Sequence, residues 1–556
     1  MSKTTASLPG ALGAQAPWFG AARTTRGLAA VWAGLLLLRL ALLGRGTLVD
    51  YDERRYFQSF EALKAAAHGD WQACAYALSM VDARPVDALW RCLPAAGQLL
   101  LARYTGWDIY AFPSLLLPTL LNWAATALVA WFFLRVCQLL FASIPAAKQW
   151  ALVAAVLYAS LVNTSIYVRH VLPYDAALLL FMWLFYWVLC KPARPSSWFW
   201  GKLGVGAGLL WLCYPGYYAG PVLLVLPLLN WQRPLSWVLA HLGQLVALGV
   251  GFILPLAAAE ALSRFGGAPP FWAVSYDLSL HILQGDPAEG YTFWLKYLWQ
   301  VEGTLGMVLV ALLLLAGWQA GQRIGRTGLA ALVPHTQYQK LMVGALLLFL
   351  VHATAAAVGH RIVWYGRLLH LYMPFLVLAG VHALATSRQQ GRAALLALAS
   401  CAVGVVSYIL FFVSYQRIAY PTDTIVAYHL NCLPARQLRY CEEVRVPAGL
   451  RFLAQGPRAA APVQCSPQPV DSLTILVNFA LLYPPNAATR TVVPSFGPAA
   501  RVVFDGPHYR AFPAYDFEGL TPAERAETRR RRYRLRVLRV ATASAKARLA
   551  LPLRQP

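Results

Sequence analysis

The chain has 556 residues, 59% of them hydrophobic and only 13% charged, with a formal net charge of +24. A soluble chain of this length carries roughly a quarter charged residues, so the composition excludes a soluble globular protein. In a soluble chain the basic excess would suggest nucleic acid. No zinc-finger, helix-turn-helix or RNA-binding signature accompanies it here, and membrane orientation and anionic lipid account for much of it.

Residues 1–26 are small and polar, with Lys3, Arg23 and Arg26 ahead of the first apolar run at 27–44. That flanking charge predicts a cytoplasmic N-terminal segment. The run lacks a small-residue cleavage site and further spans follow, so it reads as a span and not as a signal peptide. An outer loop, 45–112, comes next. It opens with Val49-Asp50-Tyr51-Asp52-Glu53-Arg54-Arg55-Tyr56-Phe57. Acids and arginines are costly in hydrocarbon, so this cluster belongs at the membrane surface or in a wet cavity. It is either a catalytic loop or an ordinary polar juxtamembrane loop. Tyr56, Phe57, Phe60 and Leu63 then recur at helical spacing with Glu61 and Lys64 between them, which predicts an amphipathic helix lying in the interface.

Apolar segments predict further spans at 113–136, 149–168, 172–190, 201–214, 217–231, 237–260, 299–318, 341–359, 363–384 and 393–415, about eleven in all. Tyr214-Pro215-Gly216-Tyr217 separates the short pair 201–214 and 217–231. Keeping that pair apart puts Lys148, Lys191, Arg194, Lys202, Arg233, Arg323, Arg326, Lys340, Arg388 and Arg392 on one side. Merging it would put the last five outside, against the positive-inside bias. The outer side then holds loops 45–112 and 261–298 and the tail 416–556. The second loop is aromatic, with Phe271, Trp272, Tyr276, Tyr291, Phe293 and Trp294 beside Asp277, His281 and Asp286. It reads as a cover over a cavity or as an interfacial aromatic belt.

In the tail, Leu473–Leu482, Thr491–Val493, Val502–Phe504 and a run from Tyr533 with alternating arginines read as strands. Thr521-Pro522-Ala523-Glu524 reads as the start of a helix. The fold class is thus an all-α polytopic membrane protein (27–415) with a C-terminal extracytoplasmic α/β domain. The tail carries 20 Lys and Arg against 9 Asp and Glu, net +11. On an outer face this suits a solvated strand or anionic lipid better than nucleic acid. Cys74 and Cys92 share the first outer loop, and Cys432, Cys441 and Cys465 lie in the tail; either bridges or free thiols fit.

Three outward features carry chemistry. Asp52 and Glu53 open the first loop. Asp175 begins the span after Tyr167-Val168-Arg169-His170-Val171-Leu172-Pro173-Tyr174, on the same side as Asp52. Two carboxylates there could hold a divalent cation (Mg, Mn or Zn), or one could act as base while the other orients it. Asp175 alone could instead cap its helix. Third, in Gly359–His370, Arg361 lies at the mouth of a span, and Arg367 and His370 share a face one turn apart. An arginine at that depth needs an anion or an acid partner, and phosphate matches its fork. Arg84, before Pro85, is a further outward cation.

Taken in order, these residues resemble the polyprenyl-phosphate-dependent glycosyltransferases of the GT-C fold, nearest the bacterial aminoarabinose transferases acting on lipid A and the protein O-mannosyltransferases (family 39). The resemblance covers residues 27 to about 415 and matches the tail only loosely. The family's Asp-Glu falls on Asp52 and Glu53, and its second acid on Asp175. Its Lys-Pro-Pro falls on Arg84-Pro85-Val86, with the second proline and the preceding acid missing. Its late basic-aromatic helix falls on Tyr365-Gly366-Arg367 and Tyr372-Met373-Pro374. The resemblance implies an inner-membrane enzyme moving a sugar from a polyprenyl phosphate to a lipid, glycan or protein acceptor, with inversion. Asp52 would activate or orient the acceptor, and Arg84 and Arg367, with Tyr365, His370 and Arg169, would bind the donor phosphate. Two other readings are a flippase for lipid-linked sugar, with the same arginines but no need of a surface Asp-Glu, and a non-catalytic scaffold.

Overall fold

The protein is described by a computed structural model over residues 19, 21–44, 55–79, 84–106, 112–191, 195–283, 291–328, 333–359, 369–417, 472–478, 500–505 and 535–541. The described residues up to 417 are predominantly helical. Helix α1 (Ala22–Leu38) runs into a 3-10 turn, Arg39–Leu42. Three helices, α2 (Tyr56–Ala67), α3 (Trp71–Ser79) and α4 (Pro85–Thr105), occupy the first predicted outer loop. They are followed by α5 (Phe112–Leu140), α6 (Ala147–Ala159), α7 (Asn163–Ile166), α8 (Tyr174–Leu189), α9 (Ser197–Cys213), α10 (Ala219–Val225), α11 (Pro234–Ala240) and α12 (Leu242–Gly266). The second predicted outer loop holds α13 (Phe271–Leu283) and α14 (Phe293–Tyr297). Helices α15 (Gly303–Thr327), α16 (Gln337–Gly359), α17 (Met373–Ala385) and α18 (Gln390–Arg417) complete the bundle.

Six of these helices are long and apolar enough to cross a membrane: Ala22–Leu42, Pro113–Leu140, Leu242–Gly266, Gly303–Thr327, Gln337–Ala355 and Gln390–Val413. Three shorter apolar helices, Tyr174–Leu189, Pro215–Leu228 and Met373–Ala385, lie among them. Every segment expected to span contains helix, but not always the length expected. The run 149–168 is one example. Helix α6 stops at Ala159, and 160–173 is irregular apart from α7; within it the hydroxyls of Ser160 and Thr164 donate to the carbonyls of Val156 and Leu161. The residues around Tyr214 break as the sequence suggests: Tyr214 is extended (φ −153°, ψ 100°), so α9 ends and a 3-10 turn, Pro215–Tyr217, begins.

The main apolar cluster is built around α6, in which every residue from Gln149 to Ala159 is buried, and smaller clusters lie under α2 to α4 and between α9 and α12. The expected interface helix is α2, which buries Tyr56, Ser59, Phe60 and Ala62. Helices α9 and α12 cross closely because glycine lines the seam. A Cβ on Gly204 would stand 2.1 Å from the Leu248 carbonyl oxygen. Small residues let membrane helices approach in this way.

In the tail, β1 (Ser472–Asn478), β2 (Ala500–Asp505) and β3 (Leu535–Ala541) form an antiparallel sheet in the order β1-β3-β2. Ile475 and Val502 both pair with Leu538, and a bulge separates Val502 from Phe504. The expected strand Thr491–Val493 and the helix start at Thr521 lie outside the described residues.

Candidate active site

The site is built where the outer-loop helices meet the broken segment of the bundle. Helix α4 starts at Pro85, whose fixed φ suits a first helical position, with Arg84 at the N-cap. One turn in, Asp87 and Arg91 sit four apart on the same face. Both are buried, and Arg91 Nε donates to Asp87 Oδ1 at 2.9 Å. Arg84 and Arg55 also act electrostatically on Asp87. Burial pushes the Asp87 carboxyl above its ordinary range, against the lowering pull of Arg91, Arg84 and Arg55. The two terminal nitrogens of Arg91 are buried and have no hydrogen-bond partner among the described residues. Nearby, Ser59 Oγ donates to the Ala88 carbonyl at 2.8 Å, and the Tyr56 hydroxyl bonds Gln98, which ties α2 to α4.

Aromatic rings lead from this cluster into the bundle. The Arg84 guanidinium lies 5.0 Å from the centre of the Tyr214 ring. Tyr214 meets Tyr174 and Tyr217 edge-on, each at 4.9 Å, and Tyr174 meets Tyr167 at 4.7 Å. His370 packs on Tyr167 at 5.1 Å, and its Nδ1 is 2.7 Å from the Tyr217 hydroxyl, a hydrogen bond whose direction follows the imidazole tautomer. The other ring nitrogen, Nε2, is 3.7 Å from Asp175 Oδ1, while Asp175 Oδ2 accepts from Thr126 Oγ1 at 2.8 Å.

Two buried charges hold the irregular stretch 160–173 that carries Arg169 and His170. Arg39 donates to the carbonyls of Ala159 (2.6 Å) and Thr164 (3.0 Å), taking the free C-terminal end of α6. Glu302 accepts from the backbone N–H groups of Val162 (2.7 Å) and Asn163 (2.9 Å), at the start of α7. The two charges match the dipole at each broken end, a cation at a C-terminus and an anion at an N-terminus. Without such partners a break at this depth would leave backbone groups unsatisfied.

The predicted residues therefore fall into three groups. Asp175 and His370 come within ion-pair distance, and the ring chain links them to Arg84. Arg169 is fully buried in the irregular stretch beside them. Asp52, Glu53, Tyr365 and Arg367 lie outside the described residues, as do Arg361 and Asp286. The carboxylate of Asp175 faces Thr126 and His370, and among the described residues no group of three His, Cys, Asp or Glu could hold a metal ion. Asp175 lies in the first turn of its helix, where a carboxylate suits the dipole, but the helix has no side-chain cap hydrogen bond. Cys74 and Cys92 are both free thiols.

Asp87, Arg91, Tyr217, Arg39 and Glu302 were not singled out from sequence. Asp87 and Arg91 offered a signal, an acid and an arginine at i, i+4 after Arg-Pro. Such pairs are common on solvated helix faces, so the spacing did not distinguish a buried one.

No family model matches the chain, and no curated protein matches it. Among solved structures it is similar to ArnT from Cupriavidus metallidurans, crystallised with undecaprenyl phosphate. The TM-score is 0.52 at 12% identity, over 93% of this chain and 99% of that one. The likeness is one of fold alone, in a chain that carries six helices long and apolar enough to cross a membrane among its described residues.

Proposed function

We propose that the protein is a membrane glycosyltransferase that moves a sugar from a polyprenyl-phosphate donor to a lipid, glycan or protein acceptor on the outer face, with inversion at the anomeric carbon. The observation that carries this reading is the buried guanidinium of Arg91. One of its nitrogens is held by Asp87, and its two terminal nitrogens are without a hydrogen-bond partner among the described residues. Arg55 and Arg84 stand beside it. A guanidinium fork fits phosphate oxygens in bidentate fashion, and a buried one gains most from such a partner. The fold shared with a protein crystallised with undecaprenyl phosphate supports the same lipid class.

Asp52 precedes Arg55 by three residues, so chain connectivity limits their Cα atoms to about 11 Å apart. In this reading Asp52 takes the proton of the acceptor hydroxyl, or orients it. The acceptor oxygen bonds the anomeric carbon as the bond from that carbon to the phosphate oxygen breaks. Arg84, Arg91 and Arg367 stabilise the charge growing on the leaving phosphate. A phosphate leaving group needs no proton donor, which frees Asp175 for positioning with His370, Tyr217 and Thr126. Glu53 stands with Asp52 on the catalytic side, and Tyr365 and Arg169 complete the donor side.

The test is sugar transfer from a radiolabelled polyprenyl-phosphate donor by the purified protein, with Asp52→Asn as control. Transfer lost in the variant with donor binding kept supports the reading. Movement of the labelled lipid across a vesicle membrane with no transfer would replace it by a flippase.

A further inference from the structure

Helices α15 and α16 flank a cavity floored by α17, and the cavity runs from Leu369 and Tyr372, beside His370, to Arg323 and His382. Its volume is about 570 Å³, within the roughly 300–1,000 Å³ range of ligand sites. Its walls are apolar, among them Leu313, Ala320, Met342, Leu346 and Leu376. Ala320 and Leu346 are exposed on the bundle surface, so the cavity is a cleft open sideways to lipid.

One end of the cleft is basic. Arg323 lines it and acts electrostatically on Tyr338 and His382, whose rings stack at 3.5 Å. Lys340 follows on α16 and lies close enough to Lys191 for the two to repel. The sequence stretches that carry these charges, 176–259 and 303–422, contain no Asp or Glu. Arg323 is also remote from the candidate active site. Glu302, which holds the site's broken segment, immediately precedes α15. Arg323 lies near the far end of that helix, roughly 30 Å away at ~1.5 Å per residue. That is about the thickness of the bilayer's hydrocarbon core.

We propose that this cleft binds an anionic glycerophospholipid of the leaflet opposite the active site, its acyl chain along α15 and α16 and its phosphate at Arg323. Lipid headgroup chemistry fits the charge, and an open apolar wall fits a chain that enters sideways. A donor lipid whose phosphate sits at the arginine cluster has its headgroup in the other leaflet, so the two phosphate positions are distinct.

Native mass spectrometry of the purified full-length protein, incubated with phosphatidylglycerol or phosphatidylcholine, tests this. The unmodified protein is expected to retain phosphatidylglycerol and to lose phosphatidylcholine. Arg323→Ala should lower phosphatidylglycerol occupancy about fivefold. Gly317→Phe should abolish it by filling the cleft, at a position where an added Cβ meets nothing within 4 Å. Equal retention of the two lipids by the unmodified protein would overturn the proposal. So would occupancy unchanged in both variants, or displacement of phosphatidylglycerol by equimolar undecaprenyl phosphate, which would assign the cleft to the donor's tail.

Discussion

The Tyr217 hydroxyl lies 2.7 Å from Nδ1 of His370, and this bond turns the other ring nitrogen toward Asp175. The bond joins the turn after α9 to the approach of α17, so it fixes an imidazole between two parts of the chain far apart in sequence. Tyr217→Phe keeps the ring packing and removes only the hydroxyl. It should cost about 1 kcal/mol of stability and lower turnover more than donor affinity. Thermal unfolding in detergent, run beside kcat and KM, checks this; a change in KM alone would assign Tyr217 to binding.

Arg91→Met should weaken binding of the donor phosphate by about 10- to 100-fold, the worth of hydrogen bonds to a charged group. Arg84→Ala should act in the same direction. Binding of undecaprenyl phosphate to purified variants measures both. If Arg91→Met unfolds the protein and Arg84→Ala binds normally, the cluster is a structural ion-pair network.

For Asp52, the expected loss on substitution by Asn is ~10²–10⁴-fold in turnover, the usual contribution of a general base, with donor binding nearly intact. Asp175→Asn should cost less, since that group positions and does not react. Single-turnover transfer separates the two, and near-normal transfer by Asp52→Asn would remove it from the mechanism.

Asp87 should leave a pH signature. Burial raises its carboxyl in the folded state, so the folded protein holds that proton to higher pH than the unfolded chain. Its contribution to stability therefore falls as pH rises from the ordinary carboxylate value through the raised one. Asp87→Asn should remove that slope. It should also cost about 3–5 kcal/mol at neutral pH by leaving the buried Arg91 charge uncompensated. Denaturant midpoints across acidic to neutral pH test both statements.

Membrane orientation is open to direct labelling. Charge bias predicts that a cysteine at Ser387 labels only after membrane permeabilisation and that one at Ser472 labels from outside. Labelling of Ser387→Cys in intact cells would invert the topology.

The sequence by itself determined the membrane class, the presence of helix in each apolar segment and the break at Tyr214, because hydropathy, proline and glycine act over windows of a few turns. It also marked Asp175 and His370 as polar groups in an apolar setting, since such groups are rare enough to stand out. Only the tertiary structure decided which polar groups meet. Helix α6 ends at Ala159 because Arg39 and Glu302, each more than a hundred residues away in sequence, satisfy the backbone groups that the break frees. The pair Asp87 and Arg91 is buried because α2, α3 and α9 pack over α4, and nothing within α4 encodes that cover. Pair spacing is a local property, whereas desolvation belongs to the whole assembly. Desolvation is what makes a surface-like ion pair into a candidate phosphate site.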